Sequence, residues 1–230
     1  MKKIGFIGGA DKTNLIMYIA KVLEDLNKKV IVADTTLMQK TKYVVPTLDP
    51  TKSYITDYQN VDYAIGFESI SDIGQYLGVK NTNSTETWPY DYMIIDIDSA
   101  SAIENFEIDD GLDNYFVTSF DIYSLKRGME ILKNLSSTMT MSKILMNYNI
   151  KKDDEEYLLY LSADTKAIWN DFSLYIPILD ENEQLMEENQ RVYRPRLKKL
   201  IPEYQDGIIY IVQNIIKEQS VSRIRKMIKE

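Results

Sequence analysis

The stretch Phe6–Asn14, FIGGADKTN, decides how the rest of the sequence is interpreted. It follows the short apolar run KIGFI at 3–7 and opens the segment TNLIMYIAKVLEDL at 13–26, whose apolar residues recur at helical spacing. A glycine turn between a strand and a helix is the setting of a phosphate-binding loop, where backbone N–H groups at the helix N-terminus bind an anion. The general pattern of such a loop is G-x-x-x-x-G-K-[ST].

The loop matches this pattern only in part. Lys12 and Thr13 supply its final lysine, which adds positive charge, and its hydroxyl, which binds magnesium. Asp11 stands where the last glycine belongs, and Phe6 stands where the first belongs. The candidate cofactor-binding residues of this loop are Gly8, Gly9, Ala10, Asp11, Lys12 and Thr13.

The acidic residue at position 11 opposes phosphate binding. A carboxylate about 4 Å from a phosphate charge costs on the order of 4 kcal/mol at an effective dielectric constant near 20, which is roughly three decades in affinity. Two arrangements would relieve this repulsion: Asp11 turns outward, or magnesium lies against it. We expect weak or absent binding of Mg-ATP and little hydrolysis.

Composition limits the chemistry that is open to the chain. Its 230 residues, 44% hydrophobic and 27% charged, are typical of a globular protein, and we expect one domain spanning 1–230. The absence of cysteine and histidine excludes disulfides, cysteine metal sites and Ser-His-Asp hydrolases. The net charge of −8 argues against nucleic acid as a partner.

The order of the predicted elements indicates the fold class. Short apolar runs alternate with amphipathic segments, which predicts βαβ units and an α/β fold: a mostly parallel central sheet with helices on both faces. The polar stretches TKSYITDYQN at 51–60 and KNTNSTETWP at 80–89 are predicted to be loops, and SISDIGQYLG at 69–78 a short helix. The further strands are expected within KVIVADTT, YDYMIIDIDS, NYFVTS, KILMNYN and FSLYIPIL, with a helix in SLKRGMEILKNL.

Polar residues follow several of the predicted strands. Asp34, Asp96 with Asp98, Asp121 and Asn147 each lie at or just after the end of an apolar run. Ligands in open parallel sheets bind at the carboxyl ends of the strands. We therefore expect these side chains and the glycine loop to surround one site suited to phosphate and magnesium.

The order of strand, GG-x-x-KT, helix and strands ending in Asp, Asp and Asn resembles the MinD/ParA family of P-loop ATPases. The loop of that family reads K-G-G-x-G-K-[ST]. Ile7 replaces the family's signature lysine, which reaches the partner's phosphates across a dimer, and Asp11 replaces a glycine. The resemblance covers roughly 1–215 and identifies the chain as a degenerate member with a deviant Walker A loop.

The resemblance also implies roles for individual residues. Asp34 would position the attacking water, although it can equally cap the segment that follows it. Asp96 would be the Walker B aspartate and, with Thr13, would hold magnesium. Asn147 would lie near adenine, although asparagine after a strand is also common in turns, and Pro177 matches the family's late Ile-Pro.

The resemblance implies a scaffold or positioning factor for a larger assembly, such as a secretion, pilus or conjugation machine. Such a factor would act as a homodimer that binds protein partners. Two alternatives remain open: an active ATPase with a variant loop that cycles between monomer and dimer, and a DNA-partition protein.

The C-terminal segment, about 216–230, is a basic tail or helix. Val221, Ile224 and Ile228 recur at helical spacing between basic residues, so the tail can either contact an anionic membrane surface or dock on its own domain. No run of about 18 apolar residues is present, so no membrane span is predicted. The expected location is cytoplasmic, with peripheral contact at the inner membrane face.

Overall fold

A computed structural model describes residues 1–47, 49, 51–79, 88–108, 110, 113–148 and 151–229. These residues form one eight-stranded sheet. Its strands are β1 Lys2–Ile7, β2 Val30–Asp34, β3 Tyr54–Tyr58, β4 Val61–Ile65, β5 Tyr92–Ile97, β6 Asp113–Thr118, β7 Met139–Asn147 and β8 Ala167–Pro177.

The strand order is β3-β4-β2-β5-β1-β6-β7-β8, and all neighbours are parallel except β3 and β4. Strand β1 therefore lies in the middle, between β5 and β6. Phe6 is paired with Asp96, and Asp96 is paired with Asp34 on the other side of β5. This register brings the glycine loop and two of the predicted aspartates to the same edge of the sheet.

Helices cover both faces of the sheet, which confirms the predicted fold class. One hydrophobic cluster contains α1, α8 and α9, and the other contains α3, α4 and α5. The helices are α1 Thr13–Asp25, α2 Thr41–Val44, α3 Ile70–Leu77, α4 Ala100–Asn105, α5 Ile122–Lys133, α6 Lys152–Ser162, α7 Asp180–Arg191, α8 Pro202–Ile215 and α9 Val221–Lys229, with a 3-10 turn at Leu197–Lys199.

The prediction of a loop over 51–60 was wrong, because this stretch contains β3, which forms a hairpin with β4. The two turn residues, Gln59 and Asn60, have φ values of 57° and 60°. A two-residue turn with both φ values positive matches the twist of antiparallel strands, but its usual sequence signal is Asn-Gly or Asp-Gly. The helix predicted at 69–78 is present as α3, whereas most of the loop predicted at 80–89 lies outside the described residues.

The C-terminal helix α9 packs on the rest of the fold. Ile224 and Ile228 are buried in the same cluster as α1 and α8, and Arg225 forms a 2.8 Å ion pair with Asp206. Ile224 and Ile228, two of the three apolar residues on which the predicted membrane contact depends, are therefore used in packing, whereas Val221 is exposed. Among the described residues, no helix combines the length and apolarity needed to cross a bilayer.

Candidate functional site

The glycines of the loop are required by the packing of the sheet. Gly8 follows β1 with φ of +146°, and a Cβ atom there would lie 2.0 Å from the carbonyl oxygen of Val117 on β6. A Cβ on Gly9 would lie 2.6 Å from Cβ of Arg127 on α5. Cβ atoms in proteins do not approach other atoms so closely, so the turn between β1 and α1 accepts only glycine at these two positions.

Lys12 turns back into the protein instead of extending into solvent. Its ammonium group donates a hydrogen bond of 2.9 Å to the Gly8 carbonyl and lies 2.7 Å from Asp96 Oδ1. Only 2% of the Lys12 side chain is exposed. The positive charge that a phosphate loop offers to its ligand is here neutralised by an internal carboxylate.

Asp11 occupies a donor that a phosphate loop offers to an anion. Its Oδ1 accepts a hydrogen bond of 3.0 Å from the backbone N–H of Thr13 at the start of α1, and its Oδ2 forms an ion pair with Lys40. Burial acts to raise the pKa of Asp11, but the hydrogen bonds from Lys40 and Thr13 outweigh it and hold the pKa below its ordinary value. Asp11 thus remains ionised, half exposed, beside the N-terminus of α1.

Asp34 is buried at the end of β2 in a capping arrangement. Its Oδ1 accepts hydrogen bonds from the Thr36 N–H (3.1 Å) and hydroxyl (2.6 Å), and its Oδ2 accepts one from the Thr41 N–H (2.9 Å). These bonds use both carboxylate oxygens to order the segment that leads into α2. Asp34 thus orders the segment that follows it, which is one of its two predicted roles. Its other predicted role, positioning the attacking water, stays a prediction.

Asp96 lies at the end of β5, and burial raises its pKa to about 7 despite the attraction of Lys12. Asp98, two residues later, accepts a hydrogen bond from the Leu37 N–H through Oδ2. Its other carboxylate oxygen is buried without a hydrogen-bond partner in the described part of the chain. Over that same part, no group of three or more carboxylates is close enough together to hold a metal ion.

Asn147 takes part in a turn at the end of β7. Its side-chain oxygen accepts a hydrogen bond of 2.9 Å from the Tyr148 N–H, and its carbonyl accepts one from Ile178. Met146 and Ile178, on either side of this turn, line a cleft beside the glycine loop. A role for Asn147 beside adenine stays a prediction.

A cleft of about 820 Å³ opens beside the loop, and residues 8–15 form part of its wall. Helix α7 also contributes to the wall through Asn182 and Glu183, and Tyr204 of α8 lines the cleft as well. Sequence patterns gave no signal for these residues, because α7 looks like an ordinary acidic surface helix. Lys40 was missed for a similar reason, since 29 residues separate it from Asp11.

Two donors of the loop are engaged by carboxylates of the chain itself. The Lys12 ammonium lies against Asp96, and the Thr13 N–H donates to Asp11. A triphosphate would have to displace Asp11 and separate Lys12 from Asp96. Of the two predicted magnesium ligands, Thr13 is part of the loop, and Asp96 lies beside it in an ion pair with Lys12.

Comparisons with known proteins give a consistent fold. No protein-family model matches the sequence, and no curated protein matches it. Among solved structures, the MinC:MinD cell division protein complex of Aquifex aeolicus contains a chain with a TM-score of 0.60 and 14% identity, which covers 96% of this chain and 97% of its own.

Two nucleotide complexes are also similar. A Cyanothece McdA–ATP complex has a TM-score of 0.58 and 13% identity over 96% of this chain and 98% of that one. A putative plasmid partition protein of Borrelia burgdorferi bound to AMPPNP has a TM-score of 0.55 and 15% identity over 94% of this chain and 100% of that one. The chain therefore has the fold of MinD- and ParA-type P-loop ATPases.

Proposed function

We propose that this protein is a MinD/ParA-like scaffold or positioning factor that binds Mg-ATP weakly or not at all and hydrolyses little. It would act as a homodimer that recruits protein partners to a larger assembly, such as a secretion, pilus or conjugation machine. One observation carries the proposal: the Asp11 carboxylate accepts the hydrogen bond of the Thr13 N–H, a backbone donor that would bind an anion in a phosphate loop.

The buried pair of Lys12 and Asp96 supports the same proposal. To bind a phosphate, Lys12 would have to leave Asp96, and a buried carboxylate without its partner is strongly unfavourable. Ile7 adds to this, because the family lysine that contacts the partner's phosphates is an apolar residue here. A dimer of this chain would therefore form without the charge contacts that nucleotide provides.

A role in recruitment is supported by analogy with fold neighbours. The MinD chain among them is found in a complex with another protein, MinC.

The glycines of the loop have a structural role that does not depend on nucleotide. Gly8 packs against β6 and Gly9 packs against α5, so the loop would keep its shape in a protein that no longer binds phosphate.

The proposal is tested by isothermal titration of the protein with Mg-ATP, together with an assay for released phosphate. We expect a dissociation constant of roughly millimolar or weaker and no phosphate release above that of the Lys12→Ala variant. Light scattering should give the same molar mass with and without Mg-ATP. Low-micromolar binding or steady turnover would overturn the proposal.

The volume of the cleft favours a second candidate, an active ATPase with a variant loop. A space of about 820 Å³ beside Lys12 and Thr13 is large enough for a nucleotide. Under this alternative, Mg-ATP would increase the molar mass of the wild-type protein, and Lys12→Ala would abolish that increase. Circular dichroism of the variant would verify that it is folded.

A further inference from the structure

The wall of the cleft is acidic. Carboxylates outnumber lysines six to two among the residues that line it. Both lysines are already in ion pairs: Lys12 pairs with Asp96, and Lys40 pairs with Asp11. Asp98, Asp121 and Glu183, which also line the cleft, form no ion pair with any residue that the structure describes. Such a cleft attracts positive charge and repels phosphate.

The cleft also contains buried polar atoms without partners. Asn182 Nδ2 and the Tyr204 hydroxyl have no hydrogen-bond partner in the described ranges, although each residue is only 1% exposed. The other end of the Asn182 amide is fixed, because its oxygen accepts a hydrogen bond of 3.1 Å from the Ile201 N–H. Both residues line the cleft, and an acceptor such as a peptide carbonyl would satisfy their unpaired atoms.

The rim of the cleft carries large apolar side chains. Met38 and Tyr43 follow β2, and Tyr123 lies in the first turn of α5. They are 78%, 66% and 67% exposed, respectively, and all three line the cleft. Aromatic and methionine side chains are enriched at surfaces that bind other proteins.

From these three observations we propose that the cleft binds a basic peptide segment of a protein partner. An arginine or lysine side chain of the peptide pairs with Asp98, Asp121 or Glu183 on the wall of the cleft, and a backbone carbonyl of the peptide accepts from Asn182 Nδ2 or Tyr204. The inference rests on the proposed function, because the peptide occupies space that nucleotide would fill in an ATPase. It adds the chemistry of the partner, which the proposed function leaves open.

A direct test uses two capped pentapeptides, Gly-Arg-Gly-Arg-Gly and the same sequence with citrulline in place of both arginines. Each is titrated into the full chain by calorimetry at low ionic strength. We expect the arginine peptide to bind at least tenfold more tightly and to lose affinity as salt is added. Equal affinities for the two peptides, or no binding of the arginine peptide, would overturn the inference.

Charge-matched variants separate a specific site from general attraction. Glu183→Gln should weaken arginine-peptide binding about fivefold, the upper range for a partly exposed charge. Glu181→Gln changes the same net charge on the same helix, but Glu181 is outside the cleft wall and is exposed, so it should bind as the wild type does. An equal loss in both variants would contradict a specific site.

Tyr204→Phe separates a role of the hydroxyl in peptide binding from a role in the stability of the fold. Removing a buried hydroxyl without a partner should leave the stability of the free protein unchanged or higher. The same change should weaken the arginine peptide about tenfold if that hydroxyl binds it. Unchanged peptide affinity in Tyr204→Phe would remove this residue from the proposed site and would leave Asn182 Nδ2 as the donor to the peptide carbonyl.

The outcomes distinguish failure of this inference from failure of the proposed function. Low-micromolar binding of Mg-ATP overturns the proposed function, and the peptide titration then decides separately whether the cleft also accepts a basic segment. If neither Mg-ATP nor the arginine peptide binds, only the inference is overturned. Binding of the arginine peptide together with weak Mg-ATP binding supports both.

Discussion

The ammonium group of Lys12 lies 2.7 Å from Asp96 Oδ1, and the two side chains are 2% and 4% exposed. The pair joins the residue that precedes α1 to the end of β5. It therefore links the glycine loop to the strand beside it through charge, and it does so without any ligand. The consequences for stability and for nucleotide binding can be measured separately.

Removing one member of the pair should be more harmful than removing both. At pH 8, above the pKa of Asp96, Lys12→Met leaves a buried carboxylate without its partner and should lower the free energy of unfolding by about 3–5 kcal/mol. Adding Asp96→Asn to Lys12→Met removes the stranded charge and should recover most of this loss. Urea unfolding of the four proteins in the cycle measures the coupling, and simple additivity of the two single changes would contradict it.

The elevated pKa of Asp96 predicts how stability depends on pH. Burial raises this pKa to about 7 in the folded protein, whereas an unfolded aspartate has a pKa of about 3.9. The folded state therefore holds a proton that the unfolded state releases, so this contribution is complete below pH ~4 and is lost as pH rises through 7.

Urea unfolding between pH 4 and 8 measures this effect. The wild type should lose roughly 2–4 kcal/mol over that range relative to Asp96→Asn, which has no titrating group at this position. Parallel pH profiles for the two proteins would show that Asp96 does not carry the linkage.

A glycine at position 11 should strengthen nucleotide binding under the proposed function. Asp11→Gly frees the Thr13 N–H and removes the like charge, so the affinity for Mg-ATP should rise by roughly two to three decades. Asp11→Asn removes the charge but keeps an oxygen that can accept from Thr13, so its gain should be smaller, about tenfold.

Calorimetric titration with Mg-ATP compares these two variants with the wild type. A ranking of Gly above Asn above Asp would attribute the loss of binding to both charge and the occupied donor. If Asp11→Gly binds Mg-ATP no better than the wild type, Asp11 is not the residue that disables the loop.

Gly8→Ala should destabilise the fold whether or not nucleotide is present. The new methyl group would meet the Val117 carbonyl at 2.0 Å, at a φ of +146°, so we expect a loss of about 3 kcal/mol or more in urea unfolding. Gly78→Ala is the matched control, because Gly78 also has positive φ (+70°) but no atom of the described residues lies within 4 Å of the place that its Cβ would take. The control should lose only about 1 kcal/mol, and equal losses would contradict the packing explanation.

The C-terminal helix should contribute to stability more than to membrane binding. Ile224→Ala should lower the free energy of unfolding by about 2–4 kcal/mol, because Ile224 is fully buried against α1 and α8. Val221→Ala, at a residue that is 38% exposed, should have a much smaller effect.

Liposome co-sedimentation completes this test. The full chain and a version that ends at Gln219 should bind anionic vesicles equally, since the apolar side of α9 is packed inside. Binding that disappears with the tail would show that α9 undocks and would favour the peripheral membrane location.

Much of the fold could be predicted from the sequence because its signals are local. The apolar run 3–7, the two glycines and the helical spacing of 13–26 fix a strand, a turn and a helix from neighbouring residues alone. The hairpin of β3 and β4 was missed, since its turn residues Gln59 and Asn60 include no glycine, which is the usual local signal of such a turn.

The sequence by itself determined the α/β architecture, the place of the loop and the presence of a carboxylate at position 11. Only the tertiary structure decided what that carboxylate does: it accepts a hydrogen bond from the Thr13 N–H and forms an ion pair with Lys40. Tertiary structure alone also brought Lys12 against Asp96 and made the acidic helix α7 part of the cleft wall. The physical reason is distance along the chain, because strand order and helix packing bring together charges whose interactions leave no trace in local periodicity.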